Sequence, residues 1–264
     1  MPAIRTEVHD GVAVLTLDDP ERRNALSLSL NAELIAAMDS LERDPDVGAV
    51  VVTGAGSAFC AGADLTQLGE SKREGLLAIY EGFLRVASSP LPTVAAVNGA
   101  AVGAGMNLAL ACDVRLAGAS ARFDTRFIEL GIHPGGGHTW MFQRIAGQQA
   151  AMAAVLFGEV LDGAEAERVG LVWRCLPDDE LVDRAVAFAS RAAHAPTELV
   201  RRVKRTIQQI GALDVHPLAV DRELGDQVWS MDQPEFAAKL EAMKARISGS
   251  GGGASSGSGT SGSS

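Results

Sequence analysis

Two glycine-rich segments each follow an apolar run that has the character of a buried strand. The first segment covers residues 53–65 and the second covers residues 97–108. Small residues after a strand let the backbone approach a ligand closely and leave N–H groups exposed. If the second segment opens a helix, its first N–H groups are unpaired and carry the positive end of the helix dipole. Such donors are suited to stabilising an oxyanion that develops during a reaction.

The glycines alone leave other interpretations open, namely tight turns with close packing, or a nucleotide site. Two such segments favour a ligand over packing. Residues 50–56 look like the start of a Rossmann phosphate loop, but Ala58 and Phe59 stand where later glycines of the motif belong. The only tyrosine, Tyr80, has Leu84 where a short-chain dehydrogenase needs lysine. Because P-loop and Gly-x-Ser-x-Gly patterns are also missing, hydride transfer, NTP hydrolysis and serine-hydrolase chemistry are disfavoured.

The composition sets the class of protein and of partner. The 264 residues carry a net charge of −10, which argues against a nucleic-acid surface because phosphate binding needs clustered Lys and Arg. Three widely spaced cysteines, Cys60, Cys112 and Cys175, form no CxxC motif and fit a reducing compartment. We see no signal peptide and no apolar run of membrane-spanning length. We therefore expect a cytoplasmic protein that binds neither membrane nor nucleic acid.

The elements that must position the two segments alternate between strand and helix. Four apolar runs predict buried strands, at residues 12–17, 47–53, 93–97 and 114–116. Apolar residues at helical spacing follow Ser27 and Ser29, which are candidate N-caps. From residue 178 onward the pattern predicts helices at 181–193, 198–210, 218–229 and 234–246. The first part of the chain thus predicts βαβ units.

At this point the motifs resemble those of a known family. Residues 57–65 and 96–105 resemble the two signature segments of the enoyl-CoA hydratase/isomerase (crotonase) superfamily. Further matching segments lie at residues 23–26, 111–113, 130–137 and 164–172. The resemblance spans roughly residues 5 to 246.

The resemblance implies an α/β fold built as a spiral of ββα turns, with two nearly perpendicular sheets and a C-terminal helical region for trimerisation. On this basis we expect a crotonase core at residues 1–195, a helical region at 196–247 and a disordered Gly/Ser-rich tail at 248–264. The expected assembly is a homotrimer or a dimer of trimers.

The resemblance also assigns an acyl-CoA site. The oxyanion hole maps onto the backbone N–H groups of Ala63 and Ala104. The coenzyme's adenine and pantetheine are placed near a set of five residues: Arg23, Ala25, Ala61, Asp64 and Leu65. Coenzyme A enters as part of the substrate, and no permanently bound cofactor or metal is expected.

One departure from the family pattern bears on the chemistry. Hydratases of this family use two glutamates to hold and deprotonate the water that adds to the double bond. At those positions this chain has Asn107 and Phe127. Asparagine can orient a water molecule but cannot take up its proton near neutral pH, and phenylalanine can neither orient nor deprotonate the water. Loss of one positioned acid–base group typically costs about 10²–10⁴-fold in rate, so we expect ordinary hydration to be slow.

Four nearby titratable residues are candidates to replace the glutamates: Asp124, Glu129, His133 and His138. We single out Glu129 and His133. The matching segment in the family is a short helix, which would point Glu129 away from Phe127 and into a structural salt bridge. His133 precedes Pro134 and a glycine run, and a histidine at this place could serve as an acid or base near neutral pH. The expectation for the enzyme is that Glu129→Gln or His133→Ala lowers turnover more than binding.

Three functions remain open at this stage. The first is an enoyl-CoA hydratase or isomerase with a relocated acid–base group. The second is another crotonase chemistry that needs the same oxyanion hole, such as thioester hydrolysis or C–C cleavage. The third is a catalytically silent acyl-CoA-binding protein. We favour an enzyme of the hydratase/isomerase type.

Overall fold

The computed structural model describes residues 3–64, 66 and 72–250. It divides into two compact units, of which the first ends at Arg201 and the second begins at Arg202. The elements in chain order are β1 (Ile4–His9), β2 (Val12–Leu17), α1 (Leu28–Arg43), β3 (Ala49–Gly54), β4 (Ala58–Cys60), α2 (Lys72–Ala87), β5 (Thr93–Val97), β6 (Ala100–Val102), α3 (Ala104–Ala111), β7 (Val114–Gly118), β8 (Arg122–Asp124), α4 (His138–Phe157), β9 (Leu161–Asp162), α5 (Gly163–Arg168), β10 (Arg174–Leu176), α6 (Leu181–Ala193), α7 (Thr197–Ile210), α8 (His216–Met231) and α9 (Pro234–Ser250).

The strands form two mixed sheets. The first has the order β1-β2-β3-β5-β7-β10, and the second has the order β4-β6-β8-β9. Three times in succession a strand of the first sheet is followed by a strand of the second sheet and then by a helix. This is the predicted α/β fold of ββα turns, and the predicted C-terminal helical region is also present. The expected trimer stays a prediction.

The central strands of the first sheet are buried on both faces, as their continuous apolar sequences predict. In β2, Ala13 and Leu15 belong to one hydrophobic cluster, whereas Val12 and Val14 belong to another. Every residue of β2, β3 and β5 is buried. One cluster includes Leu181 on α6, so this helix covers one face of the sheet. The sheet is therefore a rigid base for the loops that follow its strands.

Helix α1 begins where the sequence predicts. The Ser27 hydroxyl accepts a hydrogen bond from the Leu30 N–H at 3.1 Å, so Ser27 is the N-cap. Arg85 on α2 donates to Asp39 and Glu42 of α1, at 2.9 Å and 2.8 Å respectively. These ion pairs help to fix α2, one face of which forms part of the candidate site.

The second unit consists of helices. Within it, the Asp226 carboxylate accepts hydrogen bonds from Arg222 at 2.7 Å and Arg202 at 2.8 Å, which lower the pKa of Asp226 to about 2. Helix α9 runs to Ser250, so the backbone of residues 248–250 is helical rather than part of the predicted tail. None of the helices in the described ranges combines the length and apolar character needed to span a membrane.

Candidate functional site

The two glycine-rich segments lie next to each other because the short strands within them pair in parallel. In β4 and β6, Ala58 is paired with Ala100 and Cys60 with Ala101. Both strands therefore end at the same edge of the second sheet. Their approach is close: a Cβ at Gly105 would lie 2.0 Å from the Cys60 carbonyl oxygen. Only glycine fits there, since a side chain would overlap the neighbouring backbone.

Two asparagine side chains hold the loop between β3 and β4. The Asn24 side-chain amide, which is fully buried, donates to the Ala58 carbonyl at 2.8 Å. Asn98 donates to the Gly56 carbonyl at 3.0 Å and accepts from the Gly54 N–H at 3.1 Å. These bonds satisfy the polar backbone of the loop and set the path of the first segment.

Ala63 is positioned by a parallel bridge to Leu26. The Leu26 N–H donates to Gly62 at 2.7 Å, and the Asp64 N–H donates to Leu26 at 3.0 Å. These two hydrogen bonds involve the Gly62 carbonyl and the Asp64 N–H, on either side of Ala63. The N–H of Ala63 therefore points away from Leu26. Within the described ranges, the Ala63 N–H has no protein acceptor.

Ala104 is the first residue of α3. Gly103 precedes it with φ 51° and ψ −112°, a conformation that glycine tolerates, and its N–H is anchored to the Asp124 carbonyl at 2.9 Å. The first helical bond runs from the Asn107 N–H to the Gly103 carbonyl at 3.0 Å. The Ala104 N–H is thus one of the unpaired donors of the first turn, and no described residue accepts it.

Both backbone donors border one cavity of about 890 Å³. Six of the residues predicted for the site line its wall: Arg23, Ala61, Ala63, Ala104, Asn107 and His133. Among the described residues, Ala25, Asp64 and Glu129 are not part of this wall. Leu65 lies outside the described residues. The Asp64 carboxylate accepts from the Thr66 N–H at 3.1 Å, a local turn contact.

The second sheet presents alternate residues to the cavity. In β8, Arg122 and Asp124 line the cavity, whereas Phe123 packs in the hydrophobic core. Because neighbouring residues of a strand point to opposite faces, the Asp124 side chain faces the cavity. It is 8% exposed and forms an ion pair with Arg126, which also lines the wall. Of the described lining residues, Asp124 is the one with a carboxylate.

Glu129 lies on a turn at the surface. Its side chain is 61% exposed, and its carboxylate lies 3.7 Å from the Arg126 guanidinium. Residues 127–131 form turns rather than the expected short helix, closed by bonds such as Gly131 N–H to the Ile128 carbonyl at 3.0 Å. The side chain nevertheless makes the kind of salt bridge that we expected of it.

His133 is exposed and borders the cavity. Its Nδ1 lies 2.7 Å from the Pro134 carbonyl oxygen, which can only accept a hydrogen bond. Nδ1 is therefore the protonated nitrogen of the neutral ring. Among the described residues Nε2 has no hydrogen-bond partner, so its lone pair can accept a hydrogen bond.

Behind the cavity wall, Asn107 contacts a histidine that the sequence offered only as a nearby candidate. The Asn107 side-chain Nδ2 donates to the Gly135 carbonyl at 3.0 Å, and Oδ1 lies 2.7 Å from His138 Nδ1. His138 is fully buried, and burial lowers its pKa to about 4. Phe127 packs edge-on against the His138 ring, with centroids 5.0 Å apart.

The sequence reasoning missed the contribution of α2 to the site. Its Lys72, Leu76, Ile79 and Tyr80 line the cavity. A Cβ at Gly135 would lie 2.1 Å from the Tyr80 hydroxyl. The glycine run at 135–137 was therefore the available signal that a bulky side chain approaches this backbone.

Thiol and metal chemistry find no support in the part of the chain that the structure describes. Burial raises the pKa of Cys60 to about 12, so its thiol is protonated near neutral pH. No group of three or more His, Cys, Asp or Glu side chains in these residues is arranged to hold a metal ion.

Comparison with known proteins agrees with the fold and the motifs. The family model described as Enoyl-CoA hydratase/isomerase matches residues 7–233. "Probable enoyl-CoA hydratase EchA14" of Mycobacterium tuberculosis is 52% identical over 244 residues, covering 89% of this chain and 94% of that protein. The 1,2-epoxyphenylacetyl-CoA isomerase of Escherichia coli is 36% identical over 215 residues, covering 78% and 82%. The crystal structure of an enoyl-CoA hydratase from Bacillus anthracis has a TM-score of 0.87 at 30% identity, covering 92% of this chain and 96% of the other. The chain therefore belongs to the enoyl-CoA hydratase/isomerase family.

Proposed function

We propose that this enzyme binds an acyl-CoA thioester and stabilises its enolate through the backbone N–H groups of Ala63 and Ala104. The observation that carries the proposal is that both donors lack a protein acceptor among the described residues and border the same cavity. Removal of an α-proton places negative charge on the thioester oxygen. Two fixed donors at that oxygen stabilise the charge without reorganisation during the reaction.

The coenzyme portion of the substrate has matching groups at the cavity wall. Arg23 and Lys72 contribute positive charge, which suits the phosphates of coenzyme A. Ala61, a small residue beside the first backbone donor, leaves room for the pantetheine. Arg23 and Ala61 are two of the residues to which the family resemblance assigned coenzyme A.

The acid–base groups favour isomerisation over hydration. Addition of water to a double bond in this family uses two carboxylates, whereas Asn107 and Phe127 occupy those positions. Isomerisation of a 3-enoyl thioester instead needs one basic side chain, which removes the proton from C2 and returns it to C4 of the enolate. Asp124 is suited to this task because its carboxylate faces the cavity, and His133 is a second candidate. The relative from E. coli is named as an isomerase of an epoxide and the 52%-identical relative as a probable hydratase, so the choice rests on the residues at positions 107, 124 and 127.

The first experiment follows ultraviolet absorbance, which the two reactions change in opposite directions. Hydration of crotonyl-CoA removes the conjugated double bond and lowers the absorbance, whereas isomerisation of 3-hexenoyl-CoA to the 2-enoyl thioester creates conjugation and raises it. We expect crotonyl-CoA hydration at least about 10²–10⁴-fold slower than by a two-glutamate hydratase, because the positioned acid–base groups are missing. We expect 3-hexenoyl-CoA to be isomerised.

A two-glutamate hydratase assayed in parallel provides the reference rate. Crotonyl-CoA turnover near that reference would show that Asn107 and Phe127 do not disable hydration. Tight binding of both thioesters with neither signal would identify an acyl-CoA-binding protein without turnover, and release of free coenzyme A would identify a thioester hydrolase.

A further inference from the structure

A chain of two hydrogen bonds fixes the orientation of the Asn107 side chain. The Gly135 carbonyl accepts only, so the Asn107 atom 3.0 Å from it must be the amide nitrogen. Oδ1 then faces His138 Nδ1 at 2.7 Å. Since Oδ1 is an acceptor, His138 must carry its proton on Nδ1. A backbone carbonyl thus determines both the rotamer of an amide and the tautomer of an imidazole.

The two side chains lie in successive layers behind the cavity. Asn107 and Gly135 belong to the cavity wall, whereas His138 is fully buried and does not. Asn107 is itself only 1% exposed. Its Oδ1 contacts the buried His138 ring and its Nδ2 contacts the Gly135 carbonyl of the wall, which places the nitrogen nearer to the cavity than the oxygen. Each amide nitrogen carries two hydrogens, and one suffices for Gly135.

His138 is held in place as a neutral ring. It packs edge-on between Phe127 and Phe142, with centroid distances of 5.0 Å and 5.8 Å. Its Nε2 is buried and has no hydrogen-bond partner among the described residues. These apolar contacts disfavour the charged ring, in line with the lowered pKa. The ring thus acts as a fixed donor from Nδ1.

We propose that His138 is a positioning residue that locks Asn107 with its N–H edge toward the cavity, and that the site prefers acyl-CoA thioesters with an acceptor oxygen near the thioester. This inference rests on the proposed acyl-CoA function. Asn107 lies three residues after Ala104 on α3, so both fall on the same face of the helix. The donor is therefore placed for an oxygen on the acyl chain a few bonds from the thioester carbonyl.

The chemistry of the donor defines the substrate class. A keto, hydroxyl or epoxide oxygen can accept a hydrogen bond from the amide, whereas an unsubstituted alkyl chain offers that amide hydrogen no acceptor. A site built to bond a polar group discriminates against analogues that lack it.

The test compares the affinities of acetoacetyl-CoA and butyryl-CoA, which share a chain length and differ by the 3-oxo group. Calorimetry would measure both for the wild type and for Asn107→Leu, His138→Leu and His138→Asn. Asparagine at 138 keeps a donor near the position of Nδ1, and leucine removes it. We expect the preference for acetoacetyl-CoA to fall about tenfold in Asn107→Leu and His138→Leu, which corresponds to the loss of about 1.4 kcal/mol. The ratio of the two affinities in His138→Asn should stay close to that of the wild type.

A preference that persists in both leucine variants would overturn the inference while leaving the acyl-CoA function intact. If the wild type binds neither thioester, the proposed function itself fails. Nitrogen-15 NMR of the wild type gives an independent readout should a variant fail to fold. We expect His138 to show a protonated Nδ1 and an unprotonated Nε2. The opposite tautomer would show that His138 does not donate to Asn107 and so does not fix its orientation.

Discussion

Replacement of Ala104 by proline is expected to lower the rate of α-proton exchange in butyryl-CoA by roughly 10²–10³-fold, the usual cost of one oxyanion-hole donor. Proline has no backbone N–H, so the substitution removes the donor itself. Ala104 is the first residue of α3, where proline is well tolerated, and the preceding Gly103 has no Cβ to clash with the proline ring. The measurement is NMR of butyryl-CoA in D₂O.

Ala104→Ser is the matched control, because it changes the side chain at the same position and keeps the N–H. We expect it to retain exchange within a small factor. Equal losses in the proline and serine variants would mean that the side chain, rather than the amide, matters at this position. Undiminished exchange in Ala104→Pro would remove Ala104 from the oxyanion hole.

The second large effect is expected at Asp124. Asp124→Asn should lower the isomerisation rate about 10²–10⁴-fold, because the amide cannot take up the substrate proton. Asparagine has nearly the same shape and can still accept a hydrogen bond from Arg126, so butyryl-CoA should bind with little change. The measurement is the initial rate of absorbance gain with 3-hexenoyl-CoA, alongside the affinity for butyryl-CoA.

Glu129→Gln provides a closely matched control for this change. It neutralises a carboxylate that interacts with the same Arg126, but one that lies outside the cavity wall and is 61% exposed. Because Glu129 lies outside the cavity wall, we expect this change to leave the rate nearly unchanged, which replaces the expectation drawn from the sequence. If Glu129→Gln slows isomerisation as much as Asp124→Asn, proton transfer must be assigned to Glu129 or to the charge of the whole cluster. His133→Ala tests the remaining candidate in the same assay.

The fold was predictable where the sequence carries local signals. The strands β2 and β5 are continuous apolar runs, and helix α1 has a serine cap followed by apolar residues at helical spacing. The three-residue strands β4 and β6 had no such signal, since their small residues show no periodicity and their pairing is non-local. The second sheet was therefore expected only from the resemblance.

The site was predictable in its backbone and less so in its side chains. Glycines at 62 and 105 mark the close approach of the two chain segments, which is a property of residue type. By contrast, the contact between Asn107 and His138 joins residues 31 positions apart in the sequence. The orientation of Asp124 depends on the register of β8 with β6, in which Val102 is opposite Asp124. Sequence spacing alone determines neither of these contacts.

The most direct measurement is a crystal structure of the protein with butyryl-CoA, a saturated thioester that can exchange its α-protons without being consumed. The thioester oxygen should lie about 2.7–3.1 Å from the amide nitrogens of both Ala63 and Ala104. A thioester oxygen bound elsewhere, or either amide donating to a protein carbonyl in the complex, would contradict enolate stabilisation by this pair.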